Sequence, residues 1–149
     1  MATYFISGHR EVYPETKLLY FDRITKVLGT DPSARFVVGD YYGVDQAAQS
    51  YLSDIRDEGT NVDVTVYHML GTPRANVGGF PTVGGFKTDH ERDLAMTLAS
   101  DFDIAFVEAG REGSGTHQNI IRRGVLSAVQ GMSKRAAQEF IKSLRGLVV

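Results

Sequence analysis

Residues 112–123 read EGSGTHQNIIRR, a run in which two glycines and two hydroxyl side chains lead directly into apolar residues at helical spacing. Gly113 and Gly115 let a ligand approach the backbone closely, and Ser114 and Thr116 add hydroxyl donors. The helix that follows aims its unsatisfied N–H groups and positive dipole end at the same point. Such a loop grips phosphate or carboxylate. The same residues also make an ordinary helix start, because serine and threonine are common N-caps and glycine a common turn residue. A second stretch has the same form. In VVGDYYGVDQAAQSYL a strand ends in a turn carrying Gly39, Asp40 and Gly43, and a helix begins at once with Asp45 in its first turn. Asp45 either faces a ligand or complements the helix dipole, an effect worth about 0.3–1 kcal/mol.

Three arginines fall in or beside turns that a shared sheet edge would bring together: Arg10, Arg74 and Arg92. A guanidinium fork matches phosphate oxygens, although any one of the three also suits a solvated surface. Tyr41, Tyr42, Phe80 and Phe86 can stack on a base or pack at a rim. His9, His68, His90 and His117 lack the spacing and carboxylate neighbours of metal ligands, so no metal and no cofactor is expected. G-x-S-x-G, a full P-loop and G-x-G-x-x-G are all missing, which argues against a serine hydrolase, an NTPase or a dinucleotide oxidoreductase.

Strands are expected at 3–8, 35–40, 62–69 and 102–109, where β-branched and aromatic residues lie between Gly, Asp and turn residues. Helices are expected between them. Pro14 opens the first, with Leu18, Phe21, Thr25 and Leu28 at helical spacing. Val44, Ala47, Ala48, Tyr51, Leu52 and Ile55 define the second, and Thr88 with Glu91 forms a capping box for the third, which starts at Asp89. Ile120, Ile121, Val125 and Ala128 mark a fourth, and Ser133 caps a fifth over about 133–145; the final LVV can add an edge strand. This alternation predicts an α/β, Rossmann-like parallel sheet of 4–5 strands with helices on both faces, with ligands met beyond the carboxyl ends of the strands. The Gly-rich segment 70–88, with VGGF twice, fits neither period. Loops of that length tend to be functional or disordered: the segment is either a flexible surface insertion or, as Phe80 and Phe86 favour, a lid or subunit arm.

With 149 residues, 42% of them hydrophobic, the chain supports one domain over 1–149. A net charge of -2 argues against nucleic acid, with Arg122, Arg123, Lys134 and Arg135 as the one local basic patch. No run approaches the length of a membrane span, no basic leader precedes an apolar stretch, and cysteine is absent, so a cytoplasmic protein with no membrane partner is expected. Homo-oligomers are common for small domains of this kind, and one is expected here.

In combination, FISGHR with Ser7 and Gly8, VVGDYYGVDQAAQSYL, and ERDLAMTLASDFDIAFVEAGREGSGT resemble the SLOG superfamily over about residues 3–125. That superfamily comprises Rossmann-like nucleotide-ligand domains related to the DprA DNA-processing proteins and the LOG phosphoribohydrolases. The pattern TPR…FPTVGGFK…SGT…N…RR is also similar to a small protein family of T4-like bacteriophages. The resemblance implies a nucleotide-derived ligand, its phosphate or ribose held by residues 39–43 and 114–116, with Asp45 and Arg92 nearby. Cleaving members similar to LOG carry a glutamate three residues after the threonine. Asn119 stands there in this chain, and an amide is neither a general base nor a nucleophile. The expectation is therefore binding without turnover, and for a phage protein the sequestering of a host immune signal in the host cytoplasm. The alternative is an N-glycosidase, a nucleotide phosphoribohydrolase or deoxyribosyltransferase-like enzyme, with Asp40, Asp45, Glu91 or Glu112 as its carboxylate.

Overall fold

The computed structural model describes residues 1–129 and, beyond them, Ser133, Arg135, Ala136 and Glu139. In chain order the elements are β1 (Thr3–Ile6), α1 (Pro14–Thr30), β2 (Arg35–Val38), α2 (Val44–Asp57), β3 (Asp63–Met69), β4 (Thr82–Phe86), α3 (Asp89–Leu98), β5 (Phe102–Ile104) and α4 (Gly115–Val129). The strands form one sheet in the order β4-β3-β2-β1-β5, and every pairing is parallel. This is the expected α/β, Rossmann-like architecture. The chain runs from β1 through β2 and β3 toward one edge and then returns to place β5 on the other side of β1, which opens a crevice at the carboxyl ends of β1 and β5.

Period-two alternation sorts the strand side chains between two helical layers. Ile6, Phe36, Val38, Val64, Val66 and Ile104 point toward α1 and α2, where Tyr20, Ile24, Val27, Ala48 and Leu52 close the main core. Phe5 and Val37 point the other way and bury Met96 of α3. Full burial of each such side chain contributes about 1.5–3 kcal/mol.

The buried stripe of α1 differs from the expected one. Thr16, Tyr20, Ile24 and Val27 face the core, whereas Leu18 is 63% exposed. Two apolar stripes were available on this helix, and the one carrying Tyr20 satisfies a polar tip as well. Its hydroxyl donates to Ser7 O at 2.7 Å and accepts from the Phe106 amide at 3.0 Å, while its ring meets Phe106 edge-on. Phe21 is half-buried instead, stacked on Tyr51 of α2.

Segment 70–88 is not structureless. It contains β4, whose two glycines hide a strand from propensity arguments, and which extends the sheet beyond β3. The connection before it is pinned by Gln49 of α2, fully buried, whose Nε2 donates to Gly39 O at 2.9 Å and Ala75 O at 3.1 Å while Oε1 accepts from the Val77 amide at 2.9 Å. Phe80 is no lid. It belongs to the main core, under the Arg56 guanidinium, and Phe86 stacks on Tyr67. Of the expected fifth helix, Arg135, Ala136 and Glu139 are helical and Ser133 Oγ accepts from the Ala136 amide at 3.2 Å. Ala137, Phe140, Ile141, Leu144 and the closing LVV lie outside the described residues. Among the described residues no helix is long and apolar enough to cross a membrane.

Candidate functional site

A cavity of about 370 Å³ opens at the carboxyl ends of the strands, walled by the turns after β1 and β2, by α3 and by the start of α4. The turn between β2 and α2 is tight because Gly43 takes φ +76°, where the backbone of His9 and Arg10 leaves no room for a Cβ. Gly39 plays a different part. A side chain there would strike the Asp45 carboxylate and the Arg92 guanidinium, so its absence lets those two groups sit against the strand end.

Asp40 organises a buried ion network below the cavity. Its Oδ2 accepts from the Arg74 amide at 2.8 Å and from Arg74 Nε at 3.2 Å, and its Oδ1 accepts from Arg74 Nη2 at 2.9 Å and Arg92 Nη1 at 2.7 Å. Burial works to raise the Asp40 pKa, but the hydrogen bonds and charges of the two arginines hold it below the ordinary carboxylate value. Arg74 also pairs with Asp89 at 2.6 Å, and Arg92 pairs with Asp89 and with Asp93. Of the three arginines expected to fork a phosphate, Arg74 and Arg92 are thus engaged by carboxylates.

Asp45 is the opposite case. Its carboxyl is 6% exposed and accepts from the Tyr41 amide at 3.1 Å. Desolvation pushes its pKa up to about 7, against the charge of Arg92 and with a further push from Asp93 and Asp40. Asp93, on α3, is held at both oxygens: Arg92 Nη2 donates to Oδ1 at 2.9 Å, and Asn119 Nδ2 donates to Oδ2 at 3.2 Å. Asn119 is itself fixed, since its Oδ1 accepts from Arg122, whose other nitrogen lies 2.7 Å from His90 Nδ1.

At the start of α4, Ser114 Oγ accepts from the His117 amide at 3.2 Å and Ser114 O from the Gln118 amide at 2.9 Å. The Gly113 amide donates to His117 Nδ1 at 2.7 Å. The Gly115 and Thr116 amides have no acceptor among the described residues, and both residues line the cavity. So does Ser7, 6% exposed, whose buried Oγ has no hydrogen-bond partner. Three donors without a partner therefore belong to residues that line one cavity, an arrangement suited to an anion. Arg10 borders it too, with its guanidinium 4.4 Å from the Tyr41 ring centre. Arg74 lies over the same ring at 4.1 Å, so the more exposed Tyr42 is the ring available for stacking.

Of the residues expected to bind ligand, Ser7, Gly8, Arg10, Gly39, Asp45, Arg92, Ser114, Gly115, Thr116 and Asn119 line the cavity. Asp40, Gly43 and Arg74 lie behind its wall as supports, whereas Gly113 is exposed and does not line it. Glu91 caps α3, accepting from the Lys87 amide at 3.1 Å, and exposed Glu112 does not reach the cavity. Asp93, Asp89, His9 and Arg111 line it without having been singled out for it. Asp93 was legible in principle: it follows Arg92 and stands four residues before Thr97, on the face that α4 covers. His9 Nε2 accepts from the Glu108 amide at 3.2 Å, so the proton sits on Nδ1. Burial first, then the Arg111 charge, lower its pKa against the opposing charge of Glu108. Among the described residues no cluster of His, Cys, Asp and Glu is placed to hold a metal ion.

No family model matches this chain, and no curated protein or solved structure does either.

Proposed function

We propose that this protein binds a phosphorylated nucleotide or nucleotide-derived signalling molecule at the carboxyl edge of its sheet and holds it without turnover. The observation that carries this reading is that the unmatched Gly115 and Thr116 amides and the orphaned Ser7 hydroxyl belong to residues lining one cavity. A phosphate there gains hydrogen bonds to donors that otherwise have none, and the α4 dipole favours its charge. The sugar then lies toward Asp45 and Asp93, and the base toward Tyr42. Holding rather than cutting fits the state of the carboxylates: Asp93 is pinned by Arg92 and Asn119, and Asp45 by the Tyr41 amide. For a phage protein, as the sequence resemblance has it, the role is to sequester a host immune signal.

One observation favours the glycosidic alternative. Asp45 keeps its proton up to about pH 7 while sharing a cavity with Asp93, and an acid beside a second carboxyl group is the pairing that glycosidic cleavage uses. The test incubates the protein with nucleoside monophosphates, NAD-derived nucleotides and cyclic nucleotides, following melting temperature and the ligand by mass-resolved chromatography. Stabilisation with the ligand intact supports binding, at about 2.7 kcal/mol for a hundredfold excess over Kd. Free base in the products supports cleavage, and neither effect from any of them removes the nucleotide reading.

A further inference from the structure

Resting on that anion site, we infer that the protein selects ligands carrying the ribose 2-hydroxyl, that Asp93 is the residue reading it, and that Asn119 is a positioning residue acting through Asp93. Three observations converge on this. Asp93 lines the same cavity as the anion donors, so a sugar attached to a phosphate at Gly115 and Thr116 falls within its reach. Asn119, which grips Asp93, sits three residues beyond Thr116, about 4.5 Å further along α4, so the carboxylate is registered one helical turn behind the phosphate position. Asp93 Oδ1 accepts from both Nε and Nη2 of Arg92, and Oδ2 accepts from Asn119, which fixes the plane of the group and leaves one acceptor position, on Oδ2, for a further bond.

An ionised carboxylate only accepts hydrogen bonds, and on a nucleotide the donors lying between phosphate and base are the sugar hydroxyls. The one open position on Asp93 Oδ2 takes one such hydroxyl, and the 2-hydroxyl is the one that separates ribose from deoxyribose. A site built this way discriminates strongly against an analogue lacking it, because the pinned carboxylate is then desolvated without compensation. The chain His90–Arg122–Asn119–Asp93 ties that carboxylate to α4: Arg122 is 6% exposed, spans from His90 to Asn119, and holds the Asn119 carbonyl so that the amide nitrogen faces Asp93. Asn119 is thereby oriented toward Asp93 and away from a role of its own on the sugar.

The test measures affinities for inorganic phosphate, ribose 5-phosphate and 2-deoxyribose 5-phosphate by calorimetric titration, on the parent protein and on Asp93→Asn and Asn119→Ala. The expected result is binding of all three probes by the parent, with ribose 5-phosphate on the order of tenfold or more tighter than its deoxy analogue. Asp93→Asn and Asn119→Ala are expected to bring that ratio close to one, and because the readout is a ratio, a general weakening of the fold or of the phosphate grip cancels. Equal affinity of the parent for the two sugars overturns the 2-hydroxyl proposal and leaves the anion site standing. A preference that survives in Asn119→Ala overturns the positioning role. If inorganic phosphate and both sugar phosphates fail to bind, the anion reading fails and this inference with it.

Discussion

A buried hydroxyl without a partner costs stability unless a ligand supplies the missing bond, and Ser7 Oγ is such a group in the wall of the crevice. Ser7→Ala is therefore expected to unfold at the same or a higher denaturant concentration than the parent, yet to bind inorganic phosphate several-fold more weakly. A clear loss of stability with unchanged binding would show that the hydroxyl serves the fold. Asp45 offers a second test at the same scale. Between its ordinary value of 3.8 and its folded value of about 7, the native state carries a proton that the unfolded chain has released. Its contribution to stability is thus full below about pH 4 and is lost as pH rises through about 7. Replacing it in Asp45→Asn should remove this trend, so that melting temperatures measured from pH 5 to pH 8 fall more steeply for the parent than for the variant. Parallel curves would mean that the carboxyl is ionised throughout.

Elements hold these residues through a few specific contacts, and each predicts where damage should appear. Gly39→Ala drives a methyl group into the Asp45 carboxylate and the Arg92 guanidinium, so it should cost on the order of 1–3 kcal/mol in denaturant unfolding and abolish phosphate binding. Gln49→Ala removes three buried hydrogen bonds to the β2 end and to the connection before β4. Its expected signature is fast hydrogen exchange confined to residues 70–81, with the anion site intact; unchanged exchange there would show that Phe80 alone anchors the segment. The strands β1, β2, β3 and β5 and the helices α1 to α4 were legible as elements from their apolar spacing and turn residues. β4 was not, because TVGGF is exposed on one edge and its glycines carry no pattern. The phase of α1 was missed for a related reason: apolar spacing counts Leu18 and Tyr20 alike, while the hydroxyl of Tyr20 finds partners that exist only once β1 and the segment after β5 are side by side.

At the scale of the whole molecule, strand order decides what the cavity contains. Because β5 returns beside β1, the turn after β1 and the start of α4, about a hundred residues apart in the chain, share one crevice. The sequence pointed to both ends of that crevice, through the FISGHR and GSGT stretches. It could not show that Arg74 and Arg92 are paired with Asp40, since a salt bridge between residues 34 or 52 positions apart leaves no local pattern. Nor could it show that Asn119 faces Asp93 across α3 and α4. The long-range pairings redistribute the charges: two of the three guanidinium groups expected at the phosphate, those of Arg74 and Arg92, serve the wall, while backbone amides, one serine hydroxyl and Arg10 face or border the cavity. The most direct measurement follows backbone amide resonances while inorganic phosphate and then a nucleoside monophosphate are titrated into the protein. The largest shifts are predicted at Gly115 and Thr116, with Ser7 and its neighbours next. Saturable shifts centred elsewhere, or none at these amides at millimolar phosphate, would contradict an anion site at the start of α4.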